Sequence, residues 1–202
     1  VDVIESGAAV LHAYDPNWPR IAAELIAQLR RVTADRAWTF EHIGSTAVPG
    51  LSAKNIIDLQ IRVAQLPSYD ELDRLIAPLG YVRARGARPD SPGVFRDIPR
   101  GSEPVDDEVW EKRLYLRPDN PLTILHIRRA DSPFARYTIW FRDWLRAHDE
   151  ERDRYAAVKM HLAAMHADDA DYDDYTRDKT AYVDQVQPLF EQWANSQGGP
   201  TG

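Results

Sequence analysis

Apolar residues recur along this chain in two registers, and each change of register marks an element. After the turn-rich stretch Tyr14-Asp15-Pro16-Asn17-Trp18-Pro19, Ile21, Leu25, Ile26 and Leu29 follow at helical spacing, so a helix is predicted to about Arg31. Pro19 suits its first turn, and Trp18 reads most simply as a packing anchor. Trp38, Phe40, Glu41, His42 and Ile43 then favour a strand, which breaks at Gly44-Ser45. Beyond Pro49-Gly50, residues 56–63 alternate strictly. Leu59, Ile61 and Val63 share one face and Asp58, Gln60 and Arg62 the other, so this strand turns an apolar side to the core and a carboxylate toward the serine turn.

Leu72, Leu75, Ile76 and Leu79 return to helical spacing and end at Gly80, which predicts a crossover helix in a βαβ-like layout before a strand from Tyr81-Val82. From residue 83 to 107 regularity stops among prolines, glycines, arginines and aspartates. Arg83, Arg85, Arg88, Arg96 and Arg100 make this segment locally basic, which suits either a cover over polyphosphate or a solvated loop. Residues 112–117 and 122–129 read as an antiparallel pair joined through Pro118-Asp119-Asn120-Pro121, with Arg113, Tyr115 and Arg117 on one face and Leu114 and Leu116 opposite. The last third is helical, opening at Pro133, at Asp149 and near Asp171. Two of these helices carry Tyr-x-x-x-Lys beside an apolar stripe: Tyr155 with Lys159, and Tyr175 with Lys179. Each lysine either reaches over its aromatics toward an anionic ligand or pairs with Asp143, Asp174 or Asp178.

Composition narrows the classes. With 202 residues, 44% hydrophobic and 28% charged, the chain is long enough for one well-filled domain, here placed at 14–195. Residues 1–13 read as a strand or the remains of a linker, and 196–202 as a flexible tail. The start at Val1 suggests a trimmed terminus or a piece of something longer. A net charge of −7 argues against general nucleic-acid binding. The absence of cysteine excludes disulfides and thiolate metal sites, and no membrane-length apolar run or signal peptide is seen, so a cytoplasmic location is expected.

The residues carrying chemistry converge on the serine turn. Ser45 at the head of a short helical turn offers a hydroxyl and backbone N–H groups to phosphate, and Asp58 offers a carboxylate to the magnesium that accompanies a triphosphate. From spacing alone, a Gly-Ser turn between strands is most often only a turn. His126 on the later strand reads as a hydrogen-bonded structural residue or as a catalyst.

The segment His42-Ile43-Gly44-Ser45-Thr46-Ala47-Val48-Pro49-Gly50-Leu51 resembles the signature of the GrpB family, in the nucleotidyltransferase-fold superfamily. Tyr14-Asp15-Pro16-Asn17-Trp18-Pro19, the run from Phe141 to His148, Tyr155 with Lys159 and Tyr175 with Lys179 extend the resemblance over most of the chain. It implies an α/β (α+β) fold: a nucleotidyltransferase-like mixed sheet with flanking helices and a C-terminal three-helix segment. It also implies phosphate or nucleotide binding by His42, Gly44, Ser45, Thr46, Arg113, Lys159 and Lys179, with Asp58 holding magnesium or manganese. Gln60 and His126 stand where the superfamily places further carboxylates, and a neutral amide brings no charge to a second metal. The implied activity is transfer of a nucleoside monophosphate from a metal-bound nucleoside triphosphate to an unidentified small acceptor, with Asp58, Gln60 and His126 as the catalytic set. Domains resembling this one are also joined to dephospho-CoA kinase in actinobacteria, which implies instead an accessory domain that folds, regulates or docks, with a kinase upstream. Binding of a nucleotide or CoA-like ligand without turnover is the third reading. No Walker A loop occurs, so kinase chemistry is not encoded in these residues.

Overall fold

The computed structural model describes residues 9–34, 36–85, 93–101, 103–171 and 173–198. Arg88 and the prolines at 89 and 92 lie outside them, as do residues 1–8.

Five strands, β1 (Thr39–Ile43), β2 (Ile56–Val63), β3 (Val82–Arg83), β4 (Lys112–Arg117) and β5 (Leu122–Arg129), form one mixed sheet in the order β1-β2-β5-β4-β3. β2 and β5 pair in parallel at its centre and the other neighbours are antiparallel. Helices α1 (Trp18–Val32) and α2 (Tyr69–Ile76) cover one face, while α3 (Pro133–Ala147), α4 (Asp149–Met165) and α5 (Asp173–Ser196) gather on the other.

The alternation of β2 determines this layering. Ile57, Leu59, Ile61 and Val63 join Leu25 and Leu29 of α1, Leu72 and Ile76 of α2, and Tyr115, Leu125 and Ile127 from the neighbouring strands in the main core. Trp18 is 1% exposed and its indole N–H donates to Asn55 at 2.9 Å, so it is the anchor expected. Ser68 caps α2 by accepting from the Glu71 N–H, and Gly80 ends that region in the left-handed conformation at φ 88°.

The opposite face is built differently. Aromatics of α3, α4 and α5, among them Phe141, Trp144, Tyr155 and Phe190, pack on one another and on Val48 and Leu51 beyond the serine turn. Beside this second core, between the three helices and β2, β4 and β5, lies a hollow over the sheet. Residues 9–13, expected as lead or linker, belong to the fold: His12 exchanges backbone hydrogen bonds with Ala53, and Ala9 is buried beside Leu162 and Tyr175.

Candidate functional site

The turn after β1 positions the site. Gly44 adopts φ 73°, ψ −172°, a conformation open essentially only to glycine, and a Cβ there would stand 2.5 Å from Asp58 Oδ2. Glycine therefore lets the turn descend directly onto the β2 carboxylate. Residues 45–47 then make one turn of 3₁₀ helix whose serine faces the hollow. Bracing comes from both sides. The Thr46 hydroxyl donates to Ile56 O at 3.0 Å and accepts from His42 Nε2, also at 3.0 Å. Arg146 donates twice to Ala47 O, and Arg142 links Glu41 to His42 O. Burial, then the charges of Arg146 and Arg142, push His42 down to about 4, so at neutral pH it is a neutral brace.

Ser45, Asp58, His126, Lys159 and Lys179 all line one cavity of about 370 Å³, together with Gly44, Lys54 and Lys112. Its floor is the polar face of the sheet. His126 Nε2 lies 3.5 Å from Asp58 Oδ1, while Nδ1 faces Arg128 at 3.2 Å and Lys112 at 3.4 Å. Those cations donate to Nδ1, which fixes the proton on Nε2, toward Asp58. Burial, and then Arg128 and Lys112, hold His126 well below the usual histidine range, so it is a neutral imidazole.

Its roof carries the lysines. Lys159, 2% exposed, donates to Ser45 Oγ at 3.0 Å and to the carbonyl of Ser52. Both acceptors are neutral oxygens. Lys179 and Lys54 both lie over the Tyr175 ring, at 5.6 and 5.8 Å from its centre. Burial, then Lys179 and Lys54, bring Lys159 down to about 7. A buried ammonium crowded by two others is a seat for an anion.

Three expected residues do not reach this cavity as the resemblance implied. Gln60 is 1% exposed beneath α3, its amide N–H donating to Ala135 O and its oxygen accepting from Arg128 at 2.8 Å and Thr138 at 3.1 Å. It is a structural bracket. Arg113 lies with Tyr115 on the α1–α2 side of the sheet, over Tyr69 and bonded to Pro67 O, so its neighbour Lys112 is the cation that faces the hollow. His42 is likewise spent on the turn.

Asp97 had no signal in the sequence. It arrives from the irregular segment before β4, is 2% exposed, and accepts from Lys112 at 2.9 Å and from Arg128 at 2.6 and 2.9 Å. These cations outweigh burial and hold its carboxyl below the usual range. The arginines of that segment are largely paired: Arg83 with Asp70 and Asp73, Arg96 with Asp107, Arg100 with Asp184.

This donor set does not fit a two-metal site. Asp97 is neutralised by two cations, Gln60 is tied down, and His126 is a poor magnesium ligand. Among the described residues no cluster of three or more histidines and carboxylates is arranged to hold a metal ion. Asp58 would share a magnesium ion only with oxygens brought by a ligand's phosphates. Among the described residues no helix is long and apolar enough to cross a membrane.

Residues 8–188 match the family model for GrpB protein. The chain is 33% identical over 191 residues to a dephospho-CoA kinase of Mycolicibacterium paratuberculosis, covering 91% of this chain and 46% of that protein. It is 35% identical over 158 residues to UPF0157 protein BH1888 of Halalkalibacterium halodurans, covering 78% of this chain and 71% of that one. The crystal structure of conserved protein GrpB from Enterococcus faecalis superposes with a TM-score of 0.69 at 22% identity, over 91% of this chain and 99% of that one, which supports the mixed-sheet fold. The chain spans about half the length of the dephospho-CoA kinases it matches. With a match that runs from the first described residues through most of α5 and includes the whole serine turn, the chain belongs to the GrpB family.

Proposed function

We propose that this domain is a receptor for a phosphorylated, nucleotide-like small molecule and serves as an accessory ligand-binding domain, as the kinship with dephospho-CoA kinases suggests. The observation that carries the reading is Lys159, buried against Ser45 with Lys54 and Lys179 close enough to depress its basicity. A phosphate placed there gains a charge-assisted hydrogen bond from Lys159 and a hydroxyl from Ser45, and it relieves the repulsion among the three lysines. Leu114, Leu116, Ile124, Phe134 and Phe141 line the rest of the cavity and suit a base or an apolar arm. The ligand class is an adenosine phosphate or dephospho-CoA.

Nucleotidyl transfer is the second reading, favoured by Asp58 and Ser45 sharing the hollow. In it Asp58 takes the proton of an acceptor hydroxyl or holds the triphosphate's magnesium, and Lys159 and Lys179 balance charge on the phosphates.

Calorimetry with ATP, GTP, CTP, UTP and dephospho-CoA, each with magnesium and with EDTA, tests both. Receptor function predicts saturable binding that Lys159→Met abolishes, without pyrophosphate release. Transfer predicts magnesium-dependent pyrophosphate release that Asp58→Asn abolishes. If the wild type binds none of the five, both readings fail.

A further inference from the structure

Ser45, Lys159 and Tyr155 are arranged as more than an anion seat. Lys159 Nζ stands 3.0 Å from Ser45 Oγ, its position fixed by the Ser52 carbonyl, and lies 5.0 Å from the centre of the Tyr155 ring. Tyr155 is 4% exposed and Lys159 2%, whereas Ser45 is only partly covered and opens on the cavity. The nucleophile is thus accessible, and the base behind it is dry and held by a third group. This is the arrangement by which a serine hydroxyl is activated. Serine-lysine pairs of this kind replace serine-histidine in several acyl-transfer enzymes.

We propose that Ser45 is a nucleophile whose general base is Lys159, and that its electrophile is an ester or thioester carbonyl. The inference stands on the geometry of the pair and not on the receptor reading above, in which a phosphate occupies Ser45 and keeps Lys159 charged. Neutral Lys159 accepts the Ser45 hydroxyl proton as Oγ bonds to the carbonyl carbon. The tetrahedral oxyanion faces the ammonium groups of Lys54 and Lys179. Its collapse breaks the bond to the leaving oxygen or sulfur, which takes the proton back from Lys159 and leaves an acyl ester on Ser45. Water, deprotonated by the same amine, hydrolyses that ester, so the net reaction is one ester or thioester and one water giving an acid and an alcohol or thiol. Tyr155, held far above the usual tyrosine range chiefly by burial, remains protonated beside the pair.

The test is covalent and independent of ligand identity. The full chain is treated with a fluorophosphonate and, separately, with p-nitrophenyl acetate, and adducts are located by peptide mass mapping. One adduct on Ser45 is expected, forming faster as pH rises through about 7, where Lys159 loses its proton. Lys159→Arg keeps the cation but cannot release it, and should slow labelling by roughly 100-fold or more, the usual reach of a general base. Ser45→Ala should not label. A fold check by circular dichroism accompanies each variant; should the Lys159 variants unfold, the wild-type pH profile decides. Absence of an adduct, an adduct elsewhere, a rate flat between pH 6 and 9, or Lys159→Arg labelling like the wild type would each overturn the proposal. Phosphate-ligand binding measured in parallel on the wild type separates this failure from that of the receptor reading.

Discussion

Gly44→Ala isolates the contact that brings the serine turn onto Asp58. Two costs follow from the geometry. A non-glycine residue at φ 73°, ψ −172° carries strain of about 1–3 kcal/mol. In addition, the new methyl would lie 2.5 Å from Asp58 Oδ2, at least 0.5 Å inside the 3.0 Å that real contacts respect, so the carboxylate or the turn must retreat. For a chain of 202 residues each kcal/mol lowers Tm by about 2–4 °C, which gives a fall of about 2–12 °C from strain alone. Gly50→Ala is the control: its φ of 79° is also positive, but its nearest neighbour is the flexible Arg152 at 3.6 Å. Scanning calorimetry of both variants, and of Gly44→Ala in an Asp58→Ala background, separates the terms. The collision term should shrink when Asp58 is shortened. If Gly44→Ala melts within about 1 °C of the parent, or if its cost is the same with and without the Asp58 carboxylate, the description of the turn is wrong.

Asp97→Ala should destabilise the fold by ~3–5 kcal/mol in urea titration, because it leaves Lys112 and Arg128 buried without a counter-charge. Since the folded pKa of Asp97 is depressed, its contribution is present above the unfolded carboxylate range and fades as pH falls through the folded value; the gap between parent and Asp97→Ala should therefore narrow in acid. Lys159 behaves in the opposite sense. Its folded value of about 7 lies below the unfolded 10.5, so the cost of burying its charge is full below pH 7 and vanishes above 10.5. Lys159→Met should accordingly gain on the parent as pH falls from 10 to 6. A phosphate ligand raises the Lys159 pKa, so affinity should be greatest near pH 7 and decline above it by up to tenfold per pH unit.

Much of this architecture was legible in the chain because it rests on local periodicity. β2 could be oriented from Leu59, Ile61 and Val63 against Asp58 and Gln60, and the β4–β5 pair from its turn. The Tyr-x-x-x-Lys pairs were visible as patterns that simple solvated faces do not need. The failures share one cause. Alternation says which residues of β4 share a face but not which face looks into the hollow, so it could not show that Arg113, which the resemblance gives to phosphate, shares the core side with Tyr115, 0% exposed. Gln60 answers to Arg128, 68 positions away, and Asp97 acts from an irregular segment. Neither relation leaves a trace in spacing.

The most direct test of the central claim is a crystal structure with a non-hydrolysable nucleoside triphosphate or dephospho-CoA. The account predicts a phosphate within hydrogen-bond distance of Ser45 Oγ and Lys159 Nζ, with the base or apolar arm against the side chains of β4, β5 and α3. Ligand bound elsewhere, or bound in the cavity with its phosphates turned away from Lys159, would contradict it.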